Sequence, residues 1–302
     1  MLSEEIRARL EQLNRGRLPD LPVSAPSAPQ LAPLRATAPE PANGYAVIAP
    51  LRRATTVDAT DFSLTSLLPG EELLSERGTH YVVRESLDRF WPELPKYLER
   101  LSARLGESEL PERRPLSQQL ANAFPSRTLF LDLETCGLAG APIFLVGLIR
   151  ATPEGLLLDQ LLARDYTEEQ AILATLEAYV HDCDVLVTFN GRTFDWPMVR
   201  DRRAFHRLPD VRPELPHVDL LIHARRTWRS QVPNCRLQTL ERCLCRRTRQ
   251  GDIPGSQIPA AYHAFVRSGD ARQLRDILHH NALDLVTLAQ LTMRMLGEGT
   301  QS

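Results

Sequence analysis

No apolar run in this chain reaches the roughly 18 residues needed to span a bilayer, which argues against a transmembrane helix. The longest candidate, Ala141 to Ile149, is strand-sized. The first residues, Met1 to Arg17, carry both signs of charge and lack an apolar signal core, so a cytoplasmic location is the expectation. Cysteine is sparse. Cys136, Cys183, Cys235, Cys243 and Cys245 are odd in number and scattered, which argues against a disulfide framework, and Cys243-Leu244-Cys245 is too tight for the usual zinc half-site. Lysine is nearly absent: of 36 basic residues only Lys96 is a lysine. The net charge of −2 excludes a global polycation, so attraction to any polyanion must come from local charge distribution. There is no internal repeat.

What is present is an ordinary globular composition, 43% hydrophobic and 25% charged over 302 residues, enough for a large core. Residues 1–17 have a short amphipathic helical pattern. Residues 18–43 shift to Pro, Ala and Ser and cannot bury enough apolar surface to offset chain entropy, which predicts a flexible linker. Residues 44–125 predict a small accessory region with a strand at Thr79 to Val83 and helical spacing from Leu87 to Leu105, interrupted at Pro92 and Pro95.

The main domain is expected over residues 127–296. Thr128 to Glu134 alternates as a strand does; Pro142 to Arg150 is a second apolar run; the turn at Thr152-Pro153-Glu154-Gly155 leads into a third strand, Leu156 to Leu162. Short connections predict an antiparallel three-strand meander. Thr167 with Gln170 predicts a capping box opening a helix to Val180, followed by a strand at Val185 to Phe189. Helices are expected over Trp196 to Phe205, Leu237 to Cys245, Pro259 to Ser268 and Ala271 to Leu296. The fold class is α/β, a mixed sheet flanked by helices.

Three segments carry candidate chemistry. On the strand Phe130 to Thr135, alternation puts Asp132 and Glu134 on one face. Two carboxylates side by side in an apolar strand repel each other, and hard oxygens of this kind suit Mg²⁺ or Mn²⁺; an acidic strand edge open to solvent is the bland alternative. Asp195 follows a strand that ends in Asn190-Gly191, where it can serve as a ligand, a helix cap or both. In Leu278 to Leu285, His280 and Asp284 stand four apart on one helix face, with His279 displaced around it.

As an ordered set, D-x-E on a strand, Asn-x-x-x-Phe-Asp after a strand and His-His-x-x-x-Asp in a helix resemble the DEDD exonuclease superfamily. The chain also resembles the bacterial YprB-like ribonuclease-H-like proteins at Val218-Asp219-Leu220-Leu221, Arg236 to Glu241, Asp252-Ile253-Pro254-Gly255 and Ile258-Pro259. The resemblance implies a ribonuclease-H-like fold and a 3′–5′ exonuclease. It implies two divalent cations, Mg²⁺ or Mn²⁺, held by Asp132, Glu134, Asp195 and Asp284. His280, or alternatively His279, would be the general base, and Asn190 a substrate contact. Substrate attraction is expected from the densest basic stretch: Arg225, Arg226, Arg229, Arg236, Arg242, Arg246, Arg247 and Arg249, opposed within the stretch by Glu241 alone. Trp228 is a candidate for stacking on a base. The partner implied is a single-stranded DNA or RNA end. A non-catalytic nucleic-acid binding module and a structure-specific endonuclease are the alternatives.

Overall fold

A computed structural model describes residues 61–107, 115–138 and 140–298. The N-terminal helical pattern and the Pro/Ala-rich stretch lie outside these residues. Seven strands form one sheet: β1 Glu71–Ser75, β2 Gly78–Ser86, β3 Thr128–Thr135, β4 Ile143–Thr152, β5 Gly155–Leu162, β6 Val185–Thr188 and β7 His217–Asp219, in the order β1-β2-β5-β4-β3-β6-β7. The helices are α1 Leu64–Leu67, α2 Leu94–Glu107, α3 Pro115–Ala123, α4 Glu169–His181, α5 Asp195–Phe205, α6 Leu220–Thr227, α7 Leu237–Leu244, α8 Ile258–Ser268 and α9 Arg272–Glu298.

The meander β3-β4-β5 is antiparallel as expected, while β6 and β7 run parallel to β3. The expected helix after Leu162 starts later than a Thr167–Gln170 box would set it. Asp165 accepts the Thr167 backbone N–H at 2.8 Å and the Thr167 hydroxyl at 2.6 Å, which forms a short 3-10 turn ahead of α4. Within the stretch expected to be accessory, the β1-β2 hairpin extends the sheet along β5. The buried Asp159 of β5 clamps it there, accepting from Arg84 of β2 and Arg150 of β4 at 2.8 Å each.

Alternation along β5 separates the two faces of the sheet. Asp159 accepts from Tyr179 of α4 at 3.1 Å, whereas its neighbour Gln160 donates to the Leu278 carbonyl of α9 at 2.7 Å. So α4 and α9 cover opposite faces. Of these, α9 is the central element, with buried residues all along its length from Leu274 to Leu296. It approaches the sheet over Gly147 of β4, where an added Cβ would lie 2.0 Å from Asn281 Oδ1 and 2.7 Å from Leu285 Cδ1.

His80 of β2 is fully buried, and neither ring nitrogen has a hydrogen-bond partner. Burial, with help from the Arg164 charge, pushes its pKa down to about 4. The unfolded chain therefore takes up a proton below its ordinary value of about 6.5 while the folded chain does not. The stability linked to a neutral His80 is complete above pH 6.5 and drains away as pH falls towards 4, by about 3 kcal/mol. Urea melts across that window will show a shallower pH dependence for His80→Leu than for the unaltered chain.

Candidate functional site

The expected acidic residues converge at the meeting of β3 with α9. Residues Thr128 to Leu131 of β3 are buried and Asp132 to Thr135 half-buried, so the acids lie at the C-terminal end of this interior strand, where the core begins to give way. Asp132 pairs in register with Gly147, the position over which α9 crosses. Asn281 Nδ2 of that helix donates to Asp132 Oδ2 at 2.8 Å, and Gln160 Nε2 donates to Asn281 Oδ1 at 3.0 Å. One turn on, Asp284 faces the same cluster.

The electrostatics record this proximity. Burial holds the Asp132 carboxyl well above the usual range, and the charges of Asp284, Glu134 and Asp195 add to the effect. Glu134 is pushed up by burial and by Asp284, Asp195 and Asp252, against the opposing pull of His280. Asp195 is raised by burial and by Asp219 and Asp284, against backbone hydrogen bonds. Burial is the leading cause for all three of these carboxyls, and the charge of Asp284 adds to each.

Asp195 reaches the cluster because the loop before it is held. β6 ends at Thr188, and Asn190 then adopts a left-handed φ of 65°. Gly191 packs against Thr188, where a Cβ would meet Thr188 Cβ and Oγ1 at 2.5 Å. Asp219, at the end of β7, accepts from the Asn190 N–H at 2.8 Å and the Arg192 N–H at 3.3 Å, and also caps α6 through the Leu221 N–H at 3.0 Å. The loop therefore delivers Asp195 as the first residue of α5. On the far side, buried Glu169 pins α5 through Arg202 Nε at 2.8 Å and His206 Nε2 at 2.7 Å. Asn190 itself accepts from the Thr193 hydroxyl at 3.1 Å through Oδ1, so its side chain supports the loop.

The two histidines have different surroundings. His280 Nδ1 lies 2.8 Å from Asp252 Oδ1, and its Nε2 lies 3.5 Å from Asp284 Oδ2. Burial lowers its pKa, but Asp252, Asp284 and Glu134 outweigh that and raise it overall. His279 is lowered by burial, and its Nδ1 is buried without a partner.

The basic stretch divides. Arg225, Arg226, Arg229, Arg236, Arg242 and Arg246 are exposed. Arg247 and Arg249 turn inward instead, both onto Glu241, which is 1% exposed on its side chain. The expectation of base stacking by Trp228 is corrected. Its side chain is fully buried, and Nε1 donates to Glu298 Oε2 at 2.7 Å, so no ring face is open to a base. Trp228 closes α6 and ties it to the end of α9. The tryptophan near the acids that does reach a surface is Trp196, which with Arg192, Pro197 and His217 lines a cleft of about 660 Å³ beside α5.

Sequence reasoning did not single out Asn281; it placed Asp219, Asp252 and Glu241 only within segments of family resemblance and Arg249 only in the basic stretch, with no role beside the acids. Asn281 had a local signal, a polar residue one turn before Asp284 in an apolar helix. Asp219, Asp252 and Arg249 reach the loop, His280 and Asp284 across 27 to 35 residues, whereas Glu241 pairs with Arg247 and Arg249 only 6 and 8 residues on.

Among the described residues, no group of three or more His, Cys, Asp or Glu side chains is arranged to hold a metal ion, and no helix is long and apolar enough to cross a membrane. Asp284 instead accepts from Arg249 on one oxygen and faces His280 on the other.

A family model described as RNase_H superfamily matches residues 129–296. The Bacillus subtilis (strain 168) protein YprB, described as uncharacterized, is 36% identical over 171 residues, 55% of this chain and 41% of that relative, so well under half of the relative's length is matched. Among solved structures, the family B DNA polymerase from the hyperthermophilic archaeon Pyrobaculum calidifontis aligns with a TM-score of 0.46 at 16% identity, covering 57% of this chain and 25% of the polymerase.

Proposed function

The chain belongs to the RNase H superfamily, and from that premise we propose that it is a divalent-metal-dependent nuclease of the DEDD type, removing nucleotides from the 3′ end of single-stranded DNA or RNA. The observation that carries this reading is geometric: Asn281 Nδ2 of α9 donates to Asp132 Oδ2 of β3 at 2.8 Å, and on the same helix His280 Nε2 lies 3.5 Å from Asp284 Oδ2, so acids from distant segments meet where β3 and α9 pack. Burial and the charge of Asp284 hold Asp132, Glu134 and Asp195 above the usual carboxylate range there. Folding gains nothing from such a cluster, which costs stability until its charge is neutralised.

Four carboxylates are a donor set whose chemistry suits hard dications, while among the described residues no three of them are arranged around one ion and Asp284 is turned to Arg249. Asp132, Glu134, Asp195 and Asp284 are the residues that would hold two ions, Mg²⁺ or Mn²⁺. When bound, such a pair supplies an activated water and stabilises the attacking and leaving oxygens of a phosphodiester. The chain's own residues do the rest. Asn281 keeps the Asp132 carboxylate in one orientation. Asp219 holds the loop that presents Asp195. Asp252 accepts from His280 Nδ1, which sets the ring's orientation and leaves Nε2 as the atom turned to the acids, suited to take a proton from water. The six exposed arginines and Arg192 supply phosphate contacts, with Trp196 the aromatic open to a base in place of Trp228.

His280 is favoured over His279 as the base because its Nε2 faces Asp284. His280→Ala should lower kcat by about 10² to 10⁴ fold, while His279→Ala should leave kcat within a few fold. Initial rates on one oligonucleotide compare them, and equal losses in the two variants would reject the assignment.

The Arg249 contact with Asp284 favours one second reading, a non-catalytic nucleic-acid binding module. The full chain incubated with 5′-labelled single-stranded DNA and RNA in Mg²⁺ or Mn²⁺ separates the readings. Stepwise shortening that EDTA stops is the expected result. Tight binding without cleavage would support the module, and cutting of circular substrate would indicate an endonuclease.

A further inference from the structure

Arg249 reaches the acidic quartet from a segment that follows α7. Its side chain is 7% exposed. Nε donates to Glu241 Oε2 at 2.6 Å, Nη1 to Asp252 Oδ2 at 3.1 Å, and Nη2 to Asp284 Oδ1. Glu241 is fixed in turn by Arg247 Nε on its other oxygen at 2.5 Å. Arg247 also donates to the Gln290 amide oxygen at 2.9 Å and to Thr287 Oγ1. The guanidinium is thus moored to the protein through Glu241 and directs a fixed positive charge at Asp284.

We infer that Arg249 stands in for a divalent cation at Asp284 in the metal-free protein and competes with that cation when it arrives. This rests on the metal-dependent reading of the quartet. Two effects of Arg249 oppose each other. Holding Asp284 in one rotamer helps any ion that uses it, but restricting one short side chain is a small entropic matter. A fixed guanidinium beside that carboxylate repels a dication directly, and in a buried site repulsion between a single and a double charge is the larger effect. An arginine cannot escape by losing its proton. Asp284 therefore takes up an ion weakly.

The test is Mn²⁺ binding to the EDTA-stripped full chain, by calorimetry or by loss of the free-ion paramagnetic resonance signal. Arg249→Gln should bind Mn²⁺ about tenfold tighter than the unaltered chain, or bind an additional equivalent. Its metal-free melting temperature should fall and its rise on adding Mn²⁺ should be larger. Arg249→Lys keeps the charge but not the three-way fork, and should lie between the two. If Arg249→Gln does not fold without metal, Arg249→Lys carries the test: tighter binding supports competition. Affinity equal to or weaker than that of the unaltered chain, in a folded variant, overturns it. Absence of Mn²⁺ binding in all three proteins would remove the metal reading together with this inference. Binding by the unaltered chain with no gain in either variant would remove this inference alone.

Discussion

Asp132→Asn is expected to abolish hydrolysis and, in the same protein, to make the metal-free fold harder to unfold. The two effects have one cause. Asp132 is held above the usual carboxylate range by burial and by the charges of Asp284, Glu134 and Asp195. A raised pKa in the folded state means that ionisation at neutral pH opposes folding, and the penalty is fully present above the folded value. Asparagine removes that charge at nearly constant volume, and its amide oxygen still accepts from Asn281 Nδ2. The gain should be about 1–3 kcal/mol in urea melts with EDTA present. The same change takes away a hard anionic ligand at the centre of the proposed two-ion site. Loss on the order of a thousandfold in kcat is expected, equivalent to about 4 kcal/mol of transition-state stabilisation. Activity surviving in Asp132→Asn would end the nuclease assignment. Lower metal-free stability would mean that the charge-assisted bond from Asn281 outweighs the repulsion.

Gly147→Ala should be strongly damaging to both fold and site. A Cβ there would lie 2.0 Å from Asn281 Oδ1 and 2.7 Å from Leu285 Cδ1. Neither neighbour can step aside cheaply. Asn281 is held at both ends, by Gln160 and to Asp132, and both residues sit in a helix buried along its length. The helix must lift from β4, and overpacking of this kind costs about 1–3 kcal/mol before any hydrogen bond is lost. With the Asn281 bonds broken as well, a loss of about 3–5 kcal/mol is expected by urea melts. Because α9 carries His280 and Asp284 while β3 carries Asp132 and Glu134, the same displacement separates the halves of the site. A shift near 1 Å is enough for about a hundredfold loss of rate. Adding Asn281→Ala should return part of the stability without returning the activity, since Asp132 stays unheld. Wild-type stability in Gly147→Ala would show that α9 does not rest where the structure has it.

The parts of this molecule that were legible without a structure are those governed by short-range periodicity. Alternation along Thr128 to Thr135 put Asp132 and Glu134 on one face, and the turn at Thr152 to Gly155 announced β4 and β5. Helical spacing put His280 and Asp284 together. Elements whose existence depends on neighbours were missed. β7 has three residues and is a strand because β6 lies beside it, and α6 follows because Asp219 ends that strand and caps the helix. A capping box was read at Thr167, but Asp165 lay closer to the turn and formed the stronger local bonds.

The sequence by itself determined the periodicities: which carboxylates share a strand face, which share a helix face, and that a meander precedes the helices. Only the tertiary structure decided what each charge meets. Trp228 went into the core, Arg247 and Arg249 left the basic stretch to bind Glu241, and Asn281 found Asp132 from 149 residues away along the chain. The physical reason is range. Backbone geometry repeats over two to four residues and marks its own pattern in the sequence, whereas burial and charge pairing depend on whatever the fold brings into contact, however distant along the chain.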